Sequence, residues 1–337
     1  MKAYKFLIFI TLFLLSATSH AGKPFAKGAD ISWLPQMEAS GYKFHNDKGV
    51  EQDCFKILKA HGMNTIRLRT WVNPSDNKLS GHCSKDETVA MAARAKKHGM
   101  RVMINFHYSD TWADPGKQVK PKAWEGMNFE QLQKALYDYT YDVMSALKAA
   151  GVEPEWVQVG NEIPTGMIYP EGHTNNWVQL AMLLNKGYDA IKTVSPTTKV
   201  IIHVDQGNNG DRFRNWFDNA TKHKVKYDVI GMSFYPYWID TKPDYTEIID
   251  DLEKNMNDMV VRYGKEVMVV EVGGEDFKVE NTYNMLKEVI LRVKKIPTNK
   301  GLGVLYWEPQ GARSWSHYGL SCWGSDGRPT RALDAFK

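Results

Sequence analysis

The sequence predicts an α/β protein built as a single-domain (β/α)₈ TIM barrel. Eight short strand-like runs alternate with helical periodicity, the pattern of repeated βα units. Polar residues collect where those runs end. No linker, low-complexity stretch or charge run divides the 337 residues, so one large core is expected.

The runs are 27–31, 64–69, 101–106, 156–160, 199–204, 228–234, 266–270 and 302–307. Between them lie stripes at i, i+3, i+4, i+7 spacing. Tyr245, Ile248, Ile249, Leu252, Met256 and Met259 form one, and Tyr283, Leu286, Val289, Ile290 and Val293 another. An open doubly wound sheet is the competing architecture. Its glycine-rich dinucleotide fingerprint is absent after the first run, where Gly28-Ala29-Asp30-Ile31-Ser32 has the wrong spacing.

The first residues read as a secretory signal peptide, 1–21, leaving 22–337 as the catalytic domain. Lys2 and Lys5 precede an apolar stretch at 6–15, and Ser19-His20-Ala21 offers a small-residue cleavage site. That stretch is too short to span a bilayer. Export to the periplasm or the outside of the cell is expected. Removing two lysines and no acids lowers the formal charge from +4 to +2. Such a balance gives no sign of a nucleic-acid or membrane partner, and a monomer is expected. Of three cysteines, Cys54 and Cys83 could bridge in an oxidising compartment if their helices start at one barrel face, leaving Cys322 unpaired. No Cys/His spacing resembles a metal site.

Glu162 and Glu271 each end a strand-like run. A carboxylate there is costly to bury, so two of them suggest a chemical use over a structural ion pair. Paired carboxyls flanking one bond are the apparatus of glycoside hydrolysis. Asp30, Arg69, His107, Asn161, His203, Tyr235 and Trp307 also fall at run ends, where barrel enzymes place their catalytic groups. Arg67 and Arg69 share one face of their strand. Arg69, nearer the catalytic end, is expected to orient a carboxylate, and the deeper Arg67 to make a structural ion pair. The Tyr235 hydroxyl could donate to a nucleophile, Asn161 to a sugar 2-hydroxyl, and His107 and His203 to substrate or carboxylate. Loop tryptophans, including Trp33, Trp71, Trp112, Trp124, Trp238 and Trp315, suit the apolar faces of sugars, with Trp307 at the floor.

Several runs carry a resemblance. They are 27–32, 64–74, 158–162, 231–238, 306–309 and above all His107-Tyr108-Ser109-Asp110-Thr111-Trp112-Ala113-Asp114-Pro115. Together they closely resemble glycoside hydrolase family 53, the endo-β-1,4-galactanases. The resemblance covers nearly the whole chain after the leader. It implies Glu162 as general acid/base, Glu271 as nucleophile, β-1,4-galactan of pectic type I arabinogalactan as the polysaccharide partner, and no organic cofactor. Some bacterial members resemble one another in a long calcium-holding insertion after the seventh strand. Here 273–280, with Glu275, Asp276 and Glu280, leads straight into a helix, so no metal is expected.

The candidate site is therefore Glu162 and Glu271, supported by Arg69, Asn161, His107, His203 and Tyr235. Asp30, Asp110, Trp112, Trp307 and Trp315 are the candidate substrate contacts. The alternatives are a related β-1,4-glycanase acting on mannan, xylan or glucan, and a non-catalytic glycan-binding barrel. A phosphate-handling barrel lacks its glycine-rich late loop.

Overall fold

The computed structural model of the chain describes residues 24–75 and 82–337, so the expected leader lies outside the described residues. Eight parallel strands close into a barrel in chain order. They are β1 Ala26–Asp30, β2 Thr65–Thr70, β3 Arg101–Phe106, β4 Trp156–Val159, β5 Lys199–Val204, β6 Val229–Phe234, β7 Glu266–Val272 and β8 Gly301–Trp307. The helices α1 Leu34–Ala39 and α2 Cys54–Ala60 carry the first crossover. Long helices carry the rest: α3 Lys85–Lys97, α4 Phe129–Ala149, α5 Trp177–Val194, α6 Gly210–Lys222, α7 Tyr245–Tyr263 and α8 Val279–Lys294. The ends of α7 show how local chemistry sets a boundary. Asp244 and Glu247 form a capping box at its start, and Gly264 ends it at φ 65°.

Strand alternation separates two cores. Val157 and Val159 face the helices, whereas Trp156 joins Ala26, Met103, Ile201, Val229, Met268, Val270 and Leu305 inside the barrel. Trp156 is almost wholly buried, and truncating it to alanine is expected to cost about 3–5 kcal/mol. β2 gives nothing to that inner cluster. Its inward positions are Thr65, Arg67 and Arg69, all buried, so a polar layer lies above the apolar plug.

Two irregularities aim the glutamates. β4 stops at Val159 because Gly160 turns to φ 84°, where a Cβ would lie 2.9 Å from Ile163 Cγ2. Glu162 itself takes φ 43°, a left-handed conformation that a non-glycine side chain adopts at a cost. On β7 the register slips, so that Met232 faces Val269 but Ser233 faces Glu271. Strict alternation from Val270 would send Glu271 outward. The bulge turns it to the same side, and β7 runs on to Val272, beyond the expected run.

All three cysteines are buried and free, so the bridge that Cys54 and Cys83 could have made is not formed. The Cys83 thiol instead faces the Ser32 carbonyl at 3.9 Å. Among the described residues no helix is long and apolar enough to cross a membrane.

Candidate active site

A cavity of about 510 Å³ opens at the C-terminal end of the barrel, within the size range of ligand pockets. Glu162 and Glu271 both line it, with His107, Trp112, Asn161, Tyr235 and Trp307. Glu271 is held at both oxygens. Arg67 Nη2 lies 2.8 Å from Oε1, and the Tyr235 hydroxyl donates to Oε2 at 3.1 Å. Glu162 Oε1 accepts from Ser233 Oγ at 2.5 Å. Burial raises the pKa of both carboxyls above the usual range. At Glu162 the nearby Glu271 charge pushes the same way, against the weaker pull of Ser233. At Glu271 the cation of Arg67 and the Tyr235 hydroxyl oppose the rise. Asp30 adds to the rise at Glu271, but Arg67 offsets it, so the rise is the stronger at Glu162 and the pair favours its proton there.

The two arginines exchange the roles expected from sequence. Arg67, not Arg69, reaches Glu271. Arg69 Nη1 instead pairs with Glu308, a fully buried carboxylate that also accepts from the Trp33 amide and Gln310 Nε2. Barrel register explains the exchange. Arg67 lies level with Asp30 of β1, which is itself level with Trp307 at the end of β8. Arg69, two residues on, has passed both strand ends and meets the loops that follow them. Asp30 accepts from Arg67 Nη1 at 2.8 Å with Arg69 at 3.6 Å, and is fully buried. It braces the arginines and cannot touch a sugar, which corrects its expected contact role.

The remaining candidates divide by position. His107 Nδ1 accepts from Trp71 Nε1 and the Ala113 amide, which puts its proton on Nε2. Burial, then Arg69 and Arg67, hold its pKa well below the ordinary histidine value, so it is neutral. His203 is fully buried behind Glu162 rather than at the pocket wall. Asn161 Oδ1 accepts from Arg67 Nη2 and Asn105 Nδ2, while its Nδ2 donates to the Ala113 carbonyl. Asp110 accepts from the backbone amides of Asn73 and Lys122, so it staples two loops together and does not line the cavity. Trp315 packs edge-on against Trp33 and donates to Ser40 Oγ. Both were expected to contact substrate; both are half-exposed and lie outside the cavity lining.

Of the tryptophans, Trp112, Trp238 and Trp307 reach the cavity. Trp33 packs against two of them, with its ring centroid 5.0 Å from Trp307 and 6.1 Å from Trp112. Trp71 and Trp124 are buried. The sequence reading missed Ser233, Glu308, Tyr318 and Asp205. For Ser233 a signal existed, since it sits two residues before Tyr235 and shares its face by alternation.

The acids that follow β7 each have a basic partner: Glu275 with Lys278 and Asp276 with Arg313 in the loop, and Glu280 with Arg331 in the first turn of α8. Metal-ligand types gather elsewhere, at the N-terminal end of β2. There Asp47, His61 and Asp334 place donor atoms within 4.8 Å of one another, and Lys337 already pairs with Asp334 at 2.7 Å. That group is far along the barrel from the cavity.

This arrangement meets its relatives directly. The model of Glycosyl hydrolase family 53 matches residues 26–333. The chain belongs to this family. It is 34% identical over 322 residues to the arabinogalactan endo-beta-1,4-galactanase of Humicola insolens, covering 88% of this chain and 92% of that one. It is 34% identical over 314 residues to the endo-beta-1,4-galactanase of Bacillus subtilis strain 168, covering 85% and 70%. The solved structure of a fungal beta-1,4-galactanase superposes with a TM-score of 0.84 at 32% identity, over 92% of this chain and 98% of that chain.

Proposed function

We propose that this family 53 glycosidase is an endo-acting β-1,4-galactanase that cleaves galactan with retention of anomeric configuration. One observation carries the reading. Two carboxyls, Glu271 buried and Glu162 half-buried, share one aromatic-lined pocket, one held by a cation and the other by a neutral hydroxyl. Galactan enters through the relatives, whose names specify β-1,4-galactanases.

In the first step an ionised Glu271 oxygen attacks the anomeric carbon. The bond to the leaving oxygen breaks, and Glu162 supplies that oxygen's proton. In the second step Glu162, now a carboxylate, takes a proton from water, and the hydroxyl displaces Glu271 from the sugar. Arg67 and Tyr235 hold the nucleophile anionic and oriented. The second Nδ2 hydrogen of Asn161 and the Nε2–H of His107 are left for sugar hydroxyls. Trp112, Trp238 and Trp307 offer apolar faces to the rings. Export through the 1–21 leader belongs to the same reading, because this polymer is met outside the cell.

Reducing-end release on a panel of galactan, mannan, xylan and glucan tests the substrate. Galactan should give the fastest release, with an early viscosity drop from internal cleavage. Faster release from mannan or xylan would overturn it.

A further inference from the structure

Resting on Glu162 as acid/base, we infer that Ser233 and His203 are positioning residues: they form a hydrogen-bond relay of fixed direction that keeps the transferred proton on Glu162 Oε2. The direction follows from groups that can act in one sense only. Arg67 Nε must donate, and it meets Gln158 Oε1 at 2.6 Å. The other end of that amide, Nε2, therefore faces His203 Nδ1 at 3.0 Å as a donor. The Glu162 amide points at the same nitrogen at 3.4 Å. With donors on it, Nδ1 carries no proton.

One neighbour could argue for the opposite tautomer. Asn161 Oδ1 lies 3.3 Å from His203 Nδ1. The Ala113 carbonyl fixes that amide by accepting from its Nδ2. Its Oδ1 already receives Arg67 Nη2 and Asn105 Nδ2, both at 2.9 Å. Oδ1 needs no further donor, so the His203 proton sits on Nε2.

From there the relay runs to the acid/base. His203 Nε2–H donates to Ser233 Oγ at 2.7 Å, and the Ser233 hydroxyl hydrogen is directed to Glu162 Oε1 at 2.5 Å. Burial, Arg67 and His107 keep His203 neutral, which preserves this tautomer. A proton on Oε1 would confront the Ser233 hydrogen, so Glu162 carries its proton on Oε2. When that proton leaves, the Ser233 bond strengthens toward the new carboxylate. Arg67 thus serves both catalytic glutamates, Glu271 directly and Glu162 through three side chains.

The relay makes a prediction separable from packing. Glu162 also feels Glu271, Asp205, Arg67, Tyr235 and Tyr318, and none of these changes when Ser233 is replaced. Removing a donor from the ionised form raises a carboxyl pKa. In Ser233→Ala the alkaline limb of kcat/KM on galactan should therefore move up by about one pH unit. Ser233→Thr keeps the hydroxyl and should keep the limb. Ser233→Cys nearly conserves volume with a poor donor and should shift like alanine, which covers the case in which alanine fails to fold. Limbs unchanged in folded Ala and Cys variants would overturn the relay. A wild-type alkaline limb that survives Glu162→Gln would instead overturn the acid/base assignment itself.

Discussion

Glu271 and Glu162 face each other across one cavity, yet their supports differ in kind. Glu271 has a guanidinium on one oxygen and a phenol on the other. Glu162 has a serine hydroxyl on one oxygen, and a negative neighbour in Glu271. A charged partner opposes the rise that burial imposes and so favours the anion, as a nucleophile requires. A neutral donor permits both protonation states, as an acid that must become a base requires. One arginine supplies both situations because β2 sends its inward side chain into the polar layer between them.

The largest effect should come from the charged side. Glu271→Gln removes the nucleophile and should lower kcat on galactan by about 10⁵-fold. Glu162→Gln should cost about 10²–10⁴-fold. Much of the glycosylation loss should vanish on an aryl galactoside with a good leaving group, measured by burst kinetics. Equal losses for both variants on that substrate would erase the distinction between the two glutamates.

The arginines give the next test. Arg67→Lys cannot reproduce the guanidinium fork and should lower kcat/KM by about ten- to a hundredfold. Arg69→Lys should act mainly on thermal stability, because its partner Glu308 is buried beneath Trp33 and does not line the cavity. A larger turnover loss at Arg69 than at Arg67 would restore the role its sequence position suggested.

The pH profile carries a smaller effect of definite sign. Activity needs Glu271 ionised and Glu162 protonated, so kcat/KM should be bell-shaped. Burial and the Glu271 charge raise the Glu162 pKa, so the alkaline limb should lie well above the ordinary glutamate range. Glu162→Gln should abolish that limb and leave the acid one. The smallest expected effect is none: EDTA should leave the melting temperature and galactan activity unchanged, because the acids that follow β7 already have basic partners. A drop restored by calcium would expose a structural metal.

Much of this comparison is legible in the chain before folding. Alternating runs and helical stripes locate all eight strands, because burial on both faces makes each barrel strand a short apolar block. Both glutamates stand out as charges where such blocks end. What the chain conceals is lateral. Strand shear decides that Arg67 meets Glu271 while Arg69 meets Glu308, and shear is not written in any local window. The bulge that turns Glu271 inward is a pairing property of two strands, β6 and β7. Asp110 and Trp315 fall in substrate-like stretches, yet their hydrogen bonds run to Asn73, Lys122 and Ser40, outside the cavity lining.

Proton NMR of the anomeric region during galactan hydrolysis tests the central claim most directly. Attack by Glu271 followed by attack of water inverts the carbon twice, so the first reducing ends should be β and should mutarotate to α later. Reducing ends that appear first as α would mean a single displacement. Glu271 would then serve as a base for water, and the division of labour between the two glutamates would be wrong.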